Sequence, residues 1–509
     1  MTVQQGLGFI RRGLLIFLTI LAISLITNDL LSSWSRPQFQ NSLELYQSQL
    51  LLQASEYQPQ DPQLTVAASW LKPNEAIKSA TKVYEDAYQA TQASPFPQAE
   101  TALEETPTSR LATQAAQTLI PKLELSLGIL QAEQQRGSEA QTYWESAIAH
   151  SQSPDLAPLQ KTAQILTELW NPLPNLPSDA ETTLASQLDG WFRYRALSRL
   201  YTTQGRSQAQ ATLHITEQEA AQRALTSLVL SNGLPLLSVL VGLGIWLVLL
   251  GQWLVQRQQS LLSQITELKP WSTPWDGETI WQVLIFGFFA AGQLVLPVLI
   301  AILRQAWAFD PKTWGSQAIA GSTLVSYMAV AVWALIILYI SIRPFRPLPD
   351  GWFQISFAGS WLKWGLGGYC AAFPIVALIS ALNQLVWQGK GGSNPILPIA
   401  LENRDGLAIA LFVVTAAIAA PIFEEILFRG FLMASLTRYV PAWGAIVISS
   451  LIFALAHLSL SEVLPLTTLG IMLGLVYMRT RNLLTSMLLH SLWNSGTLLS
   501  LVILGGGMG

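Results

Sequence analysis

The chain has 509 residues, 51% of them hydrophobic and only 12% charged, where ordinary soluble domains carry roughly a quarter charged residues. With a mean hydropathy of +0.37, that composition excludes a wholly soluble protein and places the chain in a membrane. A formal net charge of −3 leaves no basic surface for nucleic acid. The single cysteine, Cys370, allows neither an intramolecular disulfide nor a thiolate metal cluster.

In chain order, Arg11 and Arg12 precede an apolar run from about Leu14 to Ile26 with no Ala-x-Ala pattern behind it. Residues 1–32 therefore read as an uncleaved signal-anchor helix, with a cleaved signal peptide as the alternative. From 33 to 223 the composition turns polar and rich in Gln, Ala and Thr, with Ser94-Pro95-Phe96-Pro97 and Asn171-Pro172-Leu173-Pro174 breaking helix-periodic stretches. An extramembrane helical domain is expected there. Within it Leu127-Gly128, Ala132, Gly137, Ala140, Tyr143-Trp144 and Ala147 resemble one tetratricopeptide (TPR) hairpin, small residues letting two helices close. No clear copies stand a period away, so an irregular helical domain is the competing reading. Either would serve as a docking site for a protein partner.

Residues 224–509 carry apolar runs near the roughly 20 residues that cross a bilayer as helix. They lie at about Leu234–Val255, Ile280–Leu303, Ala318–Ile342, Leu366–Val386, Leu407–Leu432, Trp443–Leu458, Val463–Tyr477 and Leu483–Leu504, nine spans with the anchor. The expected fold is all-α: a polytopic transmembrane helix bundle with an N-terminal extramembrane helical domain. Trp253, Trp271, Trp275, Trp352 and Trp361 flank these runs, as an interfacial aromatic belt would. The segment Gly351 to Phe357 reads as an amphipathic piece lying flat at the interface. Arg11/Arg12, Arg257/Lys269, Arg343/Arg346/Lys363, Arg438 and Arg479/Arg481 fall on one side of a nine-span arrangement, against Arg304/Lys312 and Lys390/Arg404 on the other. The richer side is expected to be cytoplasmic, which puts the N-terminus in the cytoplasm and the helical domain outside it.

Charged groups inside a span are costly and mark function. Pro421-Ile422-Phe423-Glu424-Glu425-Ile426-Leu427-Phe428-Arg429-Gly430 sets two carboxylates and a guanidinium in an apolar helix. Glu425 and Arg429 are i and i+4 and can pair, leaving Glu424 about 100 degrees around the axis. The plainer alternative is that both acids cap the membrane edge. Of four histidines, His457 and His490 fall in spans; Phe453 precedes His457 by a turn, and His490 and Asn494 share a face at i and i+4. A lone membrane histidine is more often a packing group, but here three helices can converge.

Such residues suffice to add water to a peptide carbonyl, with a carboxylate as general base and imidazole or amide donors at the oxyanion. Two histidines and a carboxylate (Glu424, His457, His490) equally match a catalytic set for Zn2+ or another divalent metal. The residues leave that choice open. Neither a His-Glu-x-x-His helix nor a Gly-x-Ser-x-Gly elbow is present.

The series Glu424-Glu425-x-x-x-Arg429, Phe453-x-x-x-His457 and His490-x-x-x-Asn494 resembles the CPBP family of intramembrane proteases, which includes the type II CAAX prenyl endopeptidases and bacterial Abi-type proteins. The likeness covers a protease core at about 360–505. It implies an intramembrane (metallo)endopeptidase acting on membrane-associated proteins or peptides. Glu424 with His457 would activate the attacking water, Glu425 and Arg429 would support the helix, and His490 with Asn494 would hold the oxyanion or a metal. A non-proteolytic scaffold or immunity-type protein retaining the fold is one competing reading. A transporter is another, with no inverted repeat to favour it.

Overall fold

The computed structural model describes residues 3–34, 39–59, 62–93, 107–266, 269–307, 314–393 and 405–506, and among these it is helix and connecting loop with no strand. The break at 94–97 and the charges at Lys312 and Arg404 lie outside the described residues. The chain divides into two compact units, Gln40–Asn232 with Ile503–Gly509, and Met1–Phe39 with Gly233–Val502.

The first unit is a series of helices, Phe39–Ser55, Pro62–Trp70, Pro73–Ala93, Pro107–Glu133, Gly137–His150, Ala157–Leu169, Ala180–Gln187 and Gly190–Thr203, followed by the start of a 50-residue helix, Ser207–Gln256. Leucines, alanines, Trp144 and Trp191 form its core. Pro107–Glu133 and Gly137–His150 make a tight pair because Gly128 gives up its side chain to the Trp144 indole: a Cβ there would stand 2.1 Å from Nε1. The indole donates to Leu125 O at 3.3 Å, so the one polar atom of a fully buried ring is satisfied.

The second unit holds the membrane helices. Eight described helices are long and apolar enough to cross a bilayer: Arg11–Ser33, Ser207–Gln259, Gly277–Ile302, Ser316–Phe345, Trp361–Trp387, Gly406–Leu436, Leu460–Thr480 and Leu483–Gly505, with the shorter apolar helix Ala442–Leu455 beside them. The protein is thus an integral multi-pass membrane protein. Its first helix is held to Gly277–Ile302 by the Trp281 indole donating to Thr19 Oγ1 at 2.7 Å and by ion pairs of Arg11 and Arg12 with Glu278.

One expectation is corrected here. Trp271, Trp275 and Trp352 are not belt residues but buried ones, 4%, 0% and 8% exposed. Their indoles donate inward, to Gly351 O, Ser435 Oγ and Ser272 O, and a ring with an internal partner for its N–H gains more from burial than from an interface. Trp253 does remain exposed. The segment 351–357 is a loop, pinned by Gln354 O, which accepts from Leu483 N, and by hydrogen bonds between Ser356 and Asn482.

Candidate active site

The helix Gly406–Leu436 starts on Asp405, whose side chain accepts from the N–H groups of Leu407 and Ala408 at 2.9 and 3.2 Å, an N-cap that fixes where the span begins. It is not uniformly α-helical. Val414–Ala419 and Glu425–Met433 are π-helical, and the short α segment Ala420–Glu424 between them ends on Glu424. Such π turns open the backbone ladder, and Pro421 deepens the opening because it has no N–H to give to Ala416 five residues back or Ala417 four back. The last span fills both gaps: Asn494 Nδ2 donates to Ala416 O at 2.7 Å and Ser491 Oγ to Ala417 O at 2.5 Å. In this way a proline in one helix sets the register of its neighbour.

That register brings His490 to the carboxylates. Its Nδ1 lies 2.9 Å from Glu425 Oε1, and its Nε2 lies 3.9 Å from Glu424 Oε2. Glu425 is 0% exposed and also takes Arg429 Nη1 at 2.8 Å. Arg429 Nη2 reaches Gly470 O at 3.4 Å, on a helix drawn close because Gly470 has no Cβ to meet Ser450. The guanidinium lies over the Phe453 ring, 4.4 Å from its centroid, a favourable contact for a desolvated cation. Glu425 and Arg429 are therefore a buried ion pair, as their spacing implied.

His457 is placed differently from expectation. The helix Ala442–Leu455 ends two residues before it, so His457 sits in a turn beyond the helix rather than within a span. There its Nδ1 meets Phe453 O at 2.9 Å, capping a carbonyl the helix end leaves without a partner. Because a carbonyl only accepts, Nδ1 of His457 carries a proton, so in the neutral ring Nε2 is bare; the Glu425 carboxylate assigns the same tautomer to a neutral His490. Phe453 holds both imidazoles edge-on, with centroids 5.0 Å from His457 and 5.7 Å from His490.

Glu424, His457, His490 and Asn494 line one cavity of about 470 Å³, while Glu425 and Arg429 stand behind it. Glu424 Oε1 accepts from the Tyr327 hydroxyl at 2.8 Å, and its buried Oε2 has no hydrogen-bond partner. Tyr327 was not anticipated from sequence; a phenol amid Ser322, Thr323 and Ser326 in an otherwise apolar span is the signal that marks it. Asn494 commits one amide N–H to Ala416 O and keeps a second.

Both imidazoles, with Nδ1 tied and Nε2 bare, have the orientation of metal-ligating histidines. Among the described residues, however, no three His, Cys, Asp or Glu side chains stand close enough to hold a metal ion. A divalent ion would have to draw Glu424, His457 and His490 together to be held here.

Comparison with known proteins places similarity over the same part of the chain. Residues 406–496, which contain all six expected site residues, match the family model for Rce1-like type II CAAX prenyl endopeptidases. YdiL of Bacillus subtilis (strain 168), a membrane peptidase by name, is 26% identical over 173 residues, 34% of this chain and 68% of its own length. No solved structure matches. The segment that bears the candidate site is thus similar to Rce1-like peptidases, which supports a membrane protease at the level of the family.

Proposed function

We propose that the protein is an intramembrane endopeptidase in which Glu424 activates water for attack on a peptide carbonyl of a membrane-associated protein or peptide. The observation that supports this most is the pairing of an unsatisfied Glu424 Oε2 with His490 Nε2, 3.9 Å apart on the wall of the cavity. Two acceptors at that separation suit a water molecule that gives one hydrogen to each. Its oxygen lone pair is then left for the substrate carbon.

As the carbon–oxygen bond forms, Glu424 takes the water proton and the carbonyl π pair moves onto oxygen. The second N–H of Asn494 supplies a donor for that oxyanion. Collapse breaks the carbon–nitrogen bond, and a proton passes to the leaving amine. His457, with a bare Nε2 on the same cavity, is suited to carry it. Glu425, Arg429 and Phe453 do no chemistry in this scheme; they hold His490 and His457 in their tautomers. Glu424, His457 and His490 are also the donors that a divalent ion would use.

The asymmetry of Lys and Arg between connections supports a cytoplasmic N-terminus and an extracytoplasmic helical domain, which we assign to recognition of a protein partner through its TPR-like helix pairs.

The test compares purified full-length protein with Glu424→Gln on a library of membrane-inserted peptides in liposomes, with and without a chelator. Cleavage by the wild type alone is expected. Loss of that cleavage on chelation would add a divalent ion to the scheme, and its persistence would leave Glu424 as the sole activator. A folded wild type that cleaves no member of the library would support the scaffold reading against this one.

A further inference from the structure

We infer that Tyr327 is a positioning residue for Glu424, contributed by a helix outside the family-matched segment and required for turnover rather than for binding. The inference rests on the reading of Glu424 as the water-activating base.

Tyr327 belongs to Ser316–Phe345, whereas the match to the Rce1-like family begins at residue 406. The helix is fixed against the site helix near its start. Ala320 packs there with Ala408 and Phe412, and Gln317 Nε2 donates to Asp405 Oδ2 at 2.7 Å, on the residue that caps the site helix. Two turns further along, the Tyr327 ring meets Phe423 edge to face at 6.0 Å, and its hydroxyl reaches Glu424 Oε1 at 2.8 Å.

The terminal torsion of a glutamate is broad and nearly two-fold. A carboxylate with no fixed partner would therefore turn in its cavity and present either oxygen at any angle. With Oε1 held by the phenol, Oε2 alone is directed at His490 Nε2, and the proton-accepting oxygen is defined. A Tyr hydroxyl is suited to this: it is neutral, so unlike Arg429 at Glu425 it does not bind the carboxylate as an ion pair.

Tyr327 also stands where the site cavity adjoins a second one of about 420 Å³, since both are lined by Phe288, Tyr327, Val330 and Ala456. Tyr327 thus stands between the site cavity and a largely apolar recess that includes Gln293 and Ser326.

Tyr327→Phe keeps the ring on Phe423 and removes only the donor. In liposomes, with a peptide that the wild type cleaves, kcat should fall by about tenfold or more with KM within roughly twofold, as expected for losing a hydrogen bond to a charged group. Tyr327→Leu, which loses the ring as well, should be no slower than Tyr327→Phe in kcat per folded molecule. Wild-type kcat in the Phe variant, with loss only in the Leu variant, would reduce Tyr327 to a packing residue and overturn the inference. If the Phe variant fails to fold, O-methyltyrosine at 327 carries the test: it keeps the ring and the oxygen but has no proton to donate, and an unchanged kcat would again overturn it. Absence of cleavage by the wild type is a different result, which strikes the reading of Glu424 itself.

Discussion

Each of the two units buries a glutamate completely, and they do so for different ends. In the helical unit Glu124 is 0% exposed, with its Oε1 taking Tyr88 OH at 2.8 Å, Ser146 Oγ at 2.6 Å and His150 Nδ1 at 2.8 Å. In the membrane unit Glu425, equally buried, takes a guanidinium and an imidazole. Its neighbour Glu424 takes one phenol and borders a cavity. An orphaned carboxylate oxygen does not by itself mark chemistry, since Glu124 Oε2 is also without a partner. What distinguishes Glu424 is that its free oxygen shares a cavity wall with a bare imidazole nitrogen. Acids packed away from any cavity, as Glu124 and Glu425 are, hold helices together, and a partly buried acid that borders a cavity is equipped to react.

Four substitutions would break or sharpen that contrast. His457→Ala should have the largest effect, lowering kcat by roughly 10²- to 10⁴-fold, the usual share of a proton-transferring group, with a small loss of melting temperature from the uncapped Phe453 carbonyl. A lowered melt with wild-type kcat per folded molecule would make His457 a structural cap alone. Arg429→Ala should cost about 3 to 5 kcal/mol, because it strands a charge that is 0% exposed; yield and melting in detergent report it, and a wild-type melt would refute the bracing role. Gly128→Ala, which drives a Cβ into the Trp144 ring, should cost about 1 to 3 kcal/mol and leave cleavage per folded molecule unchanged.

Arg206→Ala should have the smallest effect, because its pair with Glu181 at 2.6 Å is exposed and screened by water. It also has a pH signature. The Arg206 hydrogen bond, followed by that of Tyr201, holds the Glu181 carboxyl below its ordinary value. The contribution is therefore present above the unfolded carboxylate value of about 4.3 and lost as pH falls through the lower folded value. Melting curves of the two proteins should differ at neutral pH and converge in acid; a difference that persists in acid would show a packing effect of the Arg206 stem.

Much of the site was legible in the residues because charge in an apolar helix is conspicuous: Glu424, Glu425, Arg429, His490 and Asn494 all meet around one stretch of Gly406–Leu436, and the i, i+4 pairing of Glu425 with Arg429 is present. What composition and period do not encode is backbone irregularity and distant partners. Hydropathy runs smoothly through Leu458, so the helix end at Leu455 that makes His457 a cap was invisible. The π turns flanking Glu424 have no hydropathic trace. Tyr327 is 97 residues from its partner, and nothing local links them. The buried tryptophans show the same gap in reverse: beside an apolar run an indole reads as a belt residue, and only a partner such as Ser435 for Trp275 reveals it as core.

The most direct test of the central claim sets Glu424→Gln beside Glu425→Gln, measuring both melting in detergent and cleavage of one membrane peptide in liposomes. The account predicts that Glu424→Gln melts with the wild type and cleaves nothing. It predicts that Glu425→Gln loses about 3 to 5 kcal/mol of stability through the stranded Arg429, and that the fraction still folded retains measurable turnover. A stable but inactive Glu425→Gln, together with an active Glu424→Gln, would exchange the roles of the two carboxylates and contradict it.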